Sequence, residues 1–147
     1  MSKMEAEEFF TLGMESLKSG DTSAALDYLE KAVSLERSPL YCSNLAIILA
    51  KEKRDFKRAV SLCNEAIRNE PKNSLHFLNL GRIHLLGNQK KDAIRIFNMG
   101  LRYGEDRDIM AELKRFDRRR SPTIPFLERG NLVNRFLGKL TFRLGFR

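Results

Sequence analysis

Tryptophan is absent from the 147 residues, proline occurs only four times, and cysteine and histidine twice each. So few prolines in a chain that is 42% hydrophobic argue against a proline-rich extended architecture and against a disordered, low-complexity one. The two cysteines, Cys42 and Cys63, lack Cys-x-x-Cys spacing, which argues against a disulfide framework or a zinc site. Both fall in helical-looking segments and are expected as reduced core thiols. Long apolar runs are missing as well. The longest, Leu45 to Ala50, is far short of the roughly 18 to 20 residues a membrane span requires. The first ten residues carry Glu5, Glu7 and Glu8 where an export signal would need positive charge followed by an apolar stretch. The expectation is a cytoplasmic protein of one domain, or one domain plus a tail, with attachment at a membrane surface left open.

Catalytic signatures are lacking too. There is no glycine-rich phosphate loop, no His-Glu-x-x-His and no Gly-x-Ser-x-Gly. His76 and His84 stand on one predicted helix without a Cys or second His at ligand spacing, so both read as structural. Glu5, Glu7, Glu8 and Glu15 share one early helix with lysines, the pattern of a solvated face. No enzyme activity, metal or cofactor is expected.

What the sequence does contain is a period. Ala25, Ala59 and Ala93 are 34 residues apart, and so are Ala32, Ala66 and Gly100, seven residues further on. Seven residues are about two helical turns, so each small pair lies on one stripe where a neighbouring helix can approach closely. Leu29, Cys63 or Phe97 fills the gap between them. Upstream of each such helix is another with its own small-residue anchor: Phe9-x-x-Leu12-Gly13, Leu45-Ala46 and Phe77-x-x-Leu80-Gly81. Each unit is therefore a helical hairpin. Ser19-Gly20-Asp21 and Gly87-Asn88-Gln89 supply turns inside units one and three, and Pro39 and Pro71 punctuate the ends of units one and two. In the middle unit Leu45-Ala46 falls 33 residues after Leu12-Gly13, which predicts one extra residue in its turn, Lys51 to Asp55.

An aromatic, then Leu-Gly, then two alanines at fixed spacing, with proline at the repeat end, resembles the tetratricopeptide repeat. The resemblance covers about residues 6–106 and is to a small, bacterial-type three-repeat protein. It implies an all-α fold, a right-handed α-solenoid of three hairpins (6–38, 39–73 and 74–106) with a capping helix (107–120) and a basic amphipathic tail (121–147). Asp106 is the expected N-cap of that helix, and Ile109, Leu113 and Phe116 form its apolar stripe. Departures from the pattern are Ser43 or Cys42 in place of a large aromatic, Glu105 in place of proline and Gly100 in place of alanine. Each is expected to loosen a contact.

The resemblance also implies a function: a protein-interaction adaptor or scaffold whose concave wall, built from the first helix of each hairpin, binds a peptide or helix of another protein. Phe10, Met14, Asn44, Ile47, Lys51, Leu75, Asn79 and Arg82 are the expected lining. Some members of the family hold a chaperone's C-terminal carboxylate with a clamp of two Lys, two Asn and an Arg. The corresponding places here hold Phe10, Met14, Asn44, Leu75 and Asn79, so one Asn matches, and side-chain anchoring in an apolar groove is the better expectation.

The formal charge of +8 sits in the C-terminal part: residues 1–106 hold 16 Lys/Arg against 15 Asp/Glu, residues 107–147 hold 11 against 4. After Arg118, Arg119 and Arg120, the segment from Asn131 to Arg147 places Val133, Leu137, Leu140 and Leu144 on one helical stripe and Arg135, Lys139, Arg143 and Arg147 on another. It can dock on the domain or on a second copy, or lie on an anionic membrane surface. Contact with nucleic acid is the weakest of these, since no recognised nucleic-acid fold accompanies the arginines.

Overall fold

A computed structural model describes residues 2–118. Its elements are helical: α1 (Ser2–Ser19), α2 (Thr22–Leu35), α3 (Pro39–Ile48) running into a π turn (Leu49–Lys53), α4 (Phe56–Asn69), α5 (Ser74–Leu86), α6 (Lys90–Gly100) ending in a 3₁₀ turn (Leu101–Tyr103), and α7 (Arg107–Arg118). The chain divides into two compact units, residues 1–110 and 111–147. In the first, α1 packs on α2, α3 on α4 and α5 on α6, while α2 meets α3, α4 meets α5 and α3 touches α5 directly. This is the all-α array of three hairpins expected from the period. In the second, the described residues continue α7, where Arg115 donates to Glu112 at 3.2 Å. The basic-tail candidates Arg119, Arg120, Arg135, Lys139, Arg143 and Arg147, the side chain of Arg118 and the apolar stripe from Val133 to Leu144 lie outside the described residues.

The turns inside the three hairpins are built alike. A residue with positive φ ends the first helix, Gly20 at 86°, Arg54 at 57° and Asn88 at 61°, and the next residue, Asp21, Asp55 or Gln89, opens the second. Asp21 and Asp55 each accept a first-turn amide, from Ala24 at 3.0 Å and Arg58 at 3.1 Å, which satisfies a donor the helix cannot. Turn residues 20, 54 and 88 keep the 34-residue period even though Ala46 does not. The extra residue of the middle hairpin therefore sits before the turn, as the π turn at Leu49–Lys53, which takes one more residue per turn than an α-helix. The expected span, Lys51 to Asp55, shares Lys51, Glu52 and Lys53 with it and misses its buried start, Leu49 and Ala50.

Each hairpin closes on a contact between a small residue and a bulky one. A Cβ on Gly81 would overlap the Phe97 ring, two of whose atoms would stand 2.6 and 2.7 Å away. At Gly13 the corresponding neighbour is Leu29, 2.9 Å from such a Cβ. In the middle hairpin the same two places hold Ala46 and Cys63, both fully buried, so a larger first residue faces a smaller second one. Gly100 does not loosen its contact, contrary to expectation. An added Cβ there would meet Phe77 Cβ and Ile109 Cδ1, each at 2.8 Å. Glycine at this place lets Phe77 and the first turn of α7 close on α6.

Polar side chains fasten the connections between hairpins. Asn73 caps α5 by accepting the Leu75 amide at 3.2 Å and donates to Glu70 at 2.9 Å. The buried His76 meets the same carboxylate through Nε2 at 2.9 Å. A carboxylate only accepts, so Nε2 carries the proton. Asn73 first, then His76, holds the Glu70 carboxyl below the usual range. At the next connection Asp106 caps α7, accepting the amides of Asp108 and Ile109 at 3.0 Å and the Ser74 hydroxyl at 2.6 Å. Burial works to raise the Asp106 carboxyl. The Ser74 hydroxyl, the two amides and the charge of Arg82 outweigh it, and the net shift is downward.

Two outcomes are expected. Gly81→Ala should destabilise by about 1–3 kcal/mol through overpacking, and Phe97→Leu in the same chain should recover part of that loss, a coupling readable in a denaturant double-mutant cycle. An unchanged unfolding midpoint for Gly81→Ala would contradict the close contact. The second concerns acid. Carboxyls depressed by folding contribute stability that is full above their unfolded-state pKa and is lost as pH falls through the lower folded values. The melting temperature should therefore drop below about pH 4, and Glu70→Gln with Asp106→Asn should flatten that limb. Asp106→Ala at neutral pH should cost about 1 kcal/mol as a lost cap. Full acid sensitivity in the double variant would show that these junctions do not hold the hairpins.

Candidate functional site

The first helices α1, α3 and α5 each pack on the second helix of their own hairpin, and the residues expected to line a groove differ in burial and bonding. Phe10, Met14, Asn44, Ile47, Leu75 and Arg82 are half-buried, and Lys51 is exposed on the π turn. Phe10 joins α1 to α3 by stacking on Tyr41 with ring centroids 4.6 Å apart. Phe10 and Ile47 also rest against the core. The two amides differ. Asn44 turns back on its own helix, donating to the Leu40 carbonyl at 2.8 Å. Asn79 is 4% exposed and ties α5 to α3, donating to Ser43 Oγ at 2.8 Å and to the Ser43 carbonyl at 3.3 Å.

Ser43 also hydrogen-bonds Cys63, so a polar chain runs from α4 through α3 to α5. Burial pushes the Cys63 thiol up to about 12 in spite of that bond, and it raises Cys42 as well. Both thiols are free, buried and protonated at neutral pH, which makes them packing groups and not nucleophiles. His84 is held by Gln89, Nδ1 to Oε1 at 2.6 Å. Among the described residues no group of three or more His, Cys, Asp or Glu could hold a metal ion. No described helix is long and apolar enough to cross a membrane.

Sequence reading missed a second surface, where ion pairs join α2 and the residues after it to α4. Arg37 grips Glu65 with two bonds, Nε to Oε1 at 2.9 Å and Nη2 to Oε2 at 2.6 Å, and Arg58 reaches Glu30 at 2.9 Å. Glu65 is held low by Arg37, and Arg37 is raised in turn. Arg37, Glu65 and Arg58 border an open cavity of about 440 Å³ floored by Val33 and Leu62. Both pairs are 28 residues apart, one repeat less six, and a search for opposite charges at that offset would have found them.

The family model for the tetratricopeptide repeat matches residues 7–39, the first hairpin. No curated protein matches the chain in sequence. Among solved structures it is similar to the tetratricopeptide domain of Arabidopsis OM64, at 20% identity and a TM-score of 0.69 over 82% of this chain and 100% of that one. It is also similar to the first such domain of Spaghetti (RPAP3) bound to an HSP90 peptide, at 18% identity and TM-score 0.67, covering 80% of this chain and 96% of that one. A third is the TPR2B domain of yeast Sti1 in its Hsp70 complex, at 20% identity and TM-score 0.64, covering 78% and 92%. The first hairpin thus matches the tetratricopeptide repeat in sequence, and the array of three hairpins has the fold of tetratricopeptide domains.

Proposed function

We propose that the chain is a binding module and not an enzyme, and that the row of first helices takes a peptide or helix of another protein through apolar anchors. The observation that carries this is the partial exposure of Phe10, Met14, Ile47 and Leu75 on three successive first helices. A helix or extended segment presenting Leu, Phe or Met at matching intervals would complete their burial, and each anchor fully buried is worth about 1.5–3 kcal/mol. Asn44, Lys51, Asn79 and Arg82 are the polar members of the same row. The similarity to domains bound to HSP90 and Hsp70 peptides supports a protein partner. It does not extend to carboxylate capture, because Phe10, Met14 and Leu75 occupy places where a clamp needs cations and an amide, and the Asn79 amide is spent on Ser43.

The test is a displayed library of amphipathic peptides screened against the full chain, followed by titration of the selected sequences. Met14→Lys and Leu75→Lys should each weaken the selected peptide by about tenfold or more, with the melting temperature little changed. A short acidic peptide with a free C-terminus should bind weakly, with or without amidation. Micromolar binding of that peptide, lost when its terminus is amidated, would overturn the apolar-anchor reading.

A further inference from the structure

Charge in the three-hairpin unit is concentrated on one edge. Consecutive helices run antiparallel, so the turns inside the hairpins line one edge and the connections between hairpins line the other. On the first edge, Lys51 to Arg58 hold five Lys/Arg against two Asp/Glu, and Gly87 to Asp92 hold two against one, together seven against three and a net +4. Residues 1–106 as a whole, with 16 against 15, carry only +1. All seven basic side chains on this edge are exposed. The π turn touches α5, and helices in contact lie about 8–10 Å apart, close to one Debye length in physiological salt. The potentials of the two turns therefore add.

Four of these cations stand against the stability of their own helices. Lys57 and Arg58 occupy the first turn of α4, Lys90 and Lys91 that of α6, at the ends where the helix dipole is positive. One carboxylate stands against the two cations at each end, Asp55 as the cap of α4 and Asp92 in the first turn of α6. Arg58 is compensated by Glu30. Among the described residues no carboxylate lies within ion-pair distance of Lys53, Lys57 or Lys90. Residues placed against local stability call for a reason elsewhere.

We infer that this edge, centred on Lys53, Arg54, Lys57, Lys90 and Lys91, is a second interaction surface, separate from the groove, that takes an acidic segment of a partner protein. Carboxylates of Glu52, Asp55 and Asp92 interleave with the cations. A continuous phosphate backbone would be repelled by them, whereas an acidic protein segment can space its carboxylates to meet the cations and pass its neutral residues over the carboxylates. The edge has no open stacking platform, since Phe56 is half-buried with the Arg54 guanidinium 4.8 Å above its ring. The exposed large apolar side chains of the described region, Met4, Leu35, Leu40, Met99 and Tyr103, lie elsewhere, so the edge has nothing to insert into a bilayer.

The experiment titrates a fluorescein-labelled acidic peptide, four repeats of Asp-Ser-Glu-Leu, against the full chain at low salt. Because the C-terminal segment is itself basic, the background is the chain carrying Arg135→Gln, Lys139→Gln, Arg143→Gln and Arg147→Gln. In it, Lys53→Glu with Lys57→Glu and Lys90→Glu should weaken binding by about tenfold or more. The same triple change should leave the melting temperature unchanged or raise it by about a degree or two, since two first-turn cations become anions. Undiminished binding by the triple variant would overturn the inference, as would a lower melting temperature. Edge-dependent binding that is tighter to oligodeoxythymidine or to phosphatidylserine vesicles than to the acidic peptide would also overturn it.

Discussion

The architecture depends on how closely the two helices of a hairpin can approach. Where Gly81 faces Phe97 and Gly13 faces Leu29, a missing Cβ on the first helix is filled by a bulky side chain of the second. Ala46 and Cys63 fill the same space with the sizes reversed. Packing at crystal-like density allows this exchange only in pairs, because a methyl gained on one side must be surrendered on the other. The contact fixes the spacing within each hairpin, and that spacing decides which face of the first helix remains for the next hairpin and which for a partner.

The π turn follows from that constraint. Small residues 13, 46 and 81 are spaced unevenly, while turn residues 20, 54 and 88 are spaced evenly. Closing contact and turn geometry are both fixed by the fold, so the extra residue has to be absorbed between Ala46 and Arg54. Leu49 and Ala50 stay buried within the widened turn. The added length reaches solvent as Lys51, Glu52 and Lys53. A core requirement thus pushes charged residues outward on the edge where the hairpin turns gather.

The period, the hairpins, the turns of the first and third hairpins and the capping role of Asp106 were legible in the sequence because each rests on local spacing or on a residue beside the helix it serves. The position of the extra residue was not, since counting shows that one is present but not which turn widens. Gly100 was misjudged for a different reason. Its neighbours are Phe77, twenty-three residues before it, and Ile109 of the capping helix, and no pattern within a repeat reveals that the two converge. For the candidate groove the sequence offered a set of lining residues by their position on the first helices. It did not show where their polar groups turn: Asn44 and Asn79 look equivalent by position, yet one amide bonds its own helix and the other bridges to Ser43.

That difference between two amides bears on what such a surface can recognise. A polar group already bonded in a dry site has little left to offer a ligand, and pulling it away costs about 1–3 kcal/mol in the partner left behind. The Asn79 amide serves the stacking of α5 on α3. Half-buried Phe10, Met14, Ile47 and Leu75, by contrast, break no hydrogen bond when a ligand covers them, and their exposed parts gain from any apolar cover. Specificity in a groove so equipped comes from shape and the spacing of anchors, with charge left to the rim. Seven of the sixteen Lys and Arg of residues 1–106 stand on the turns of the second and third hairpins, where they can steer an acidic partner without crossing the apolar floor.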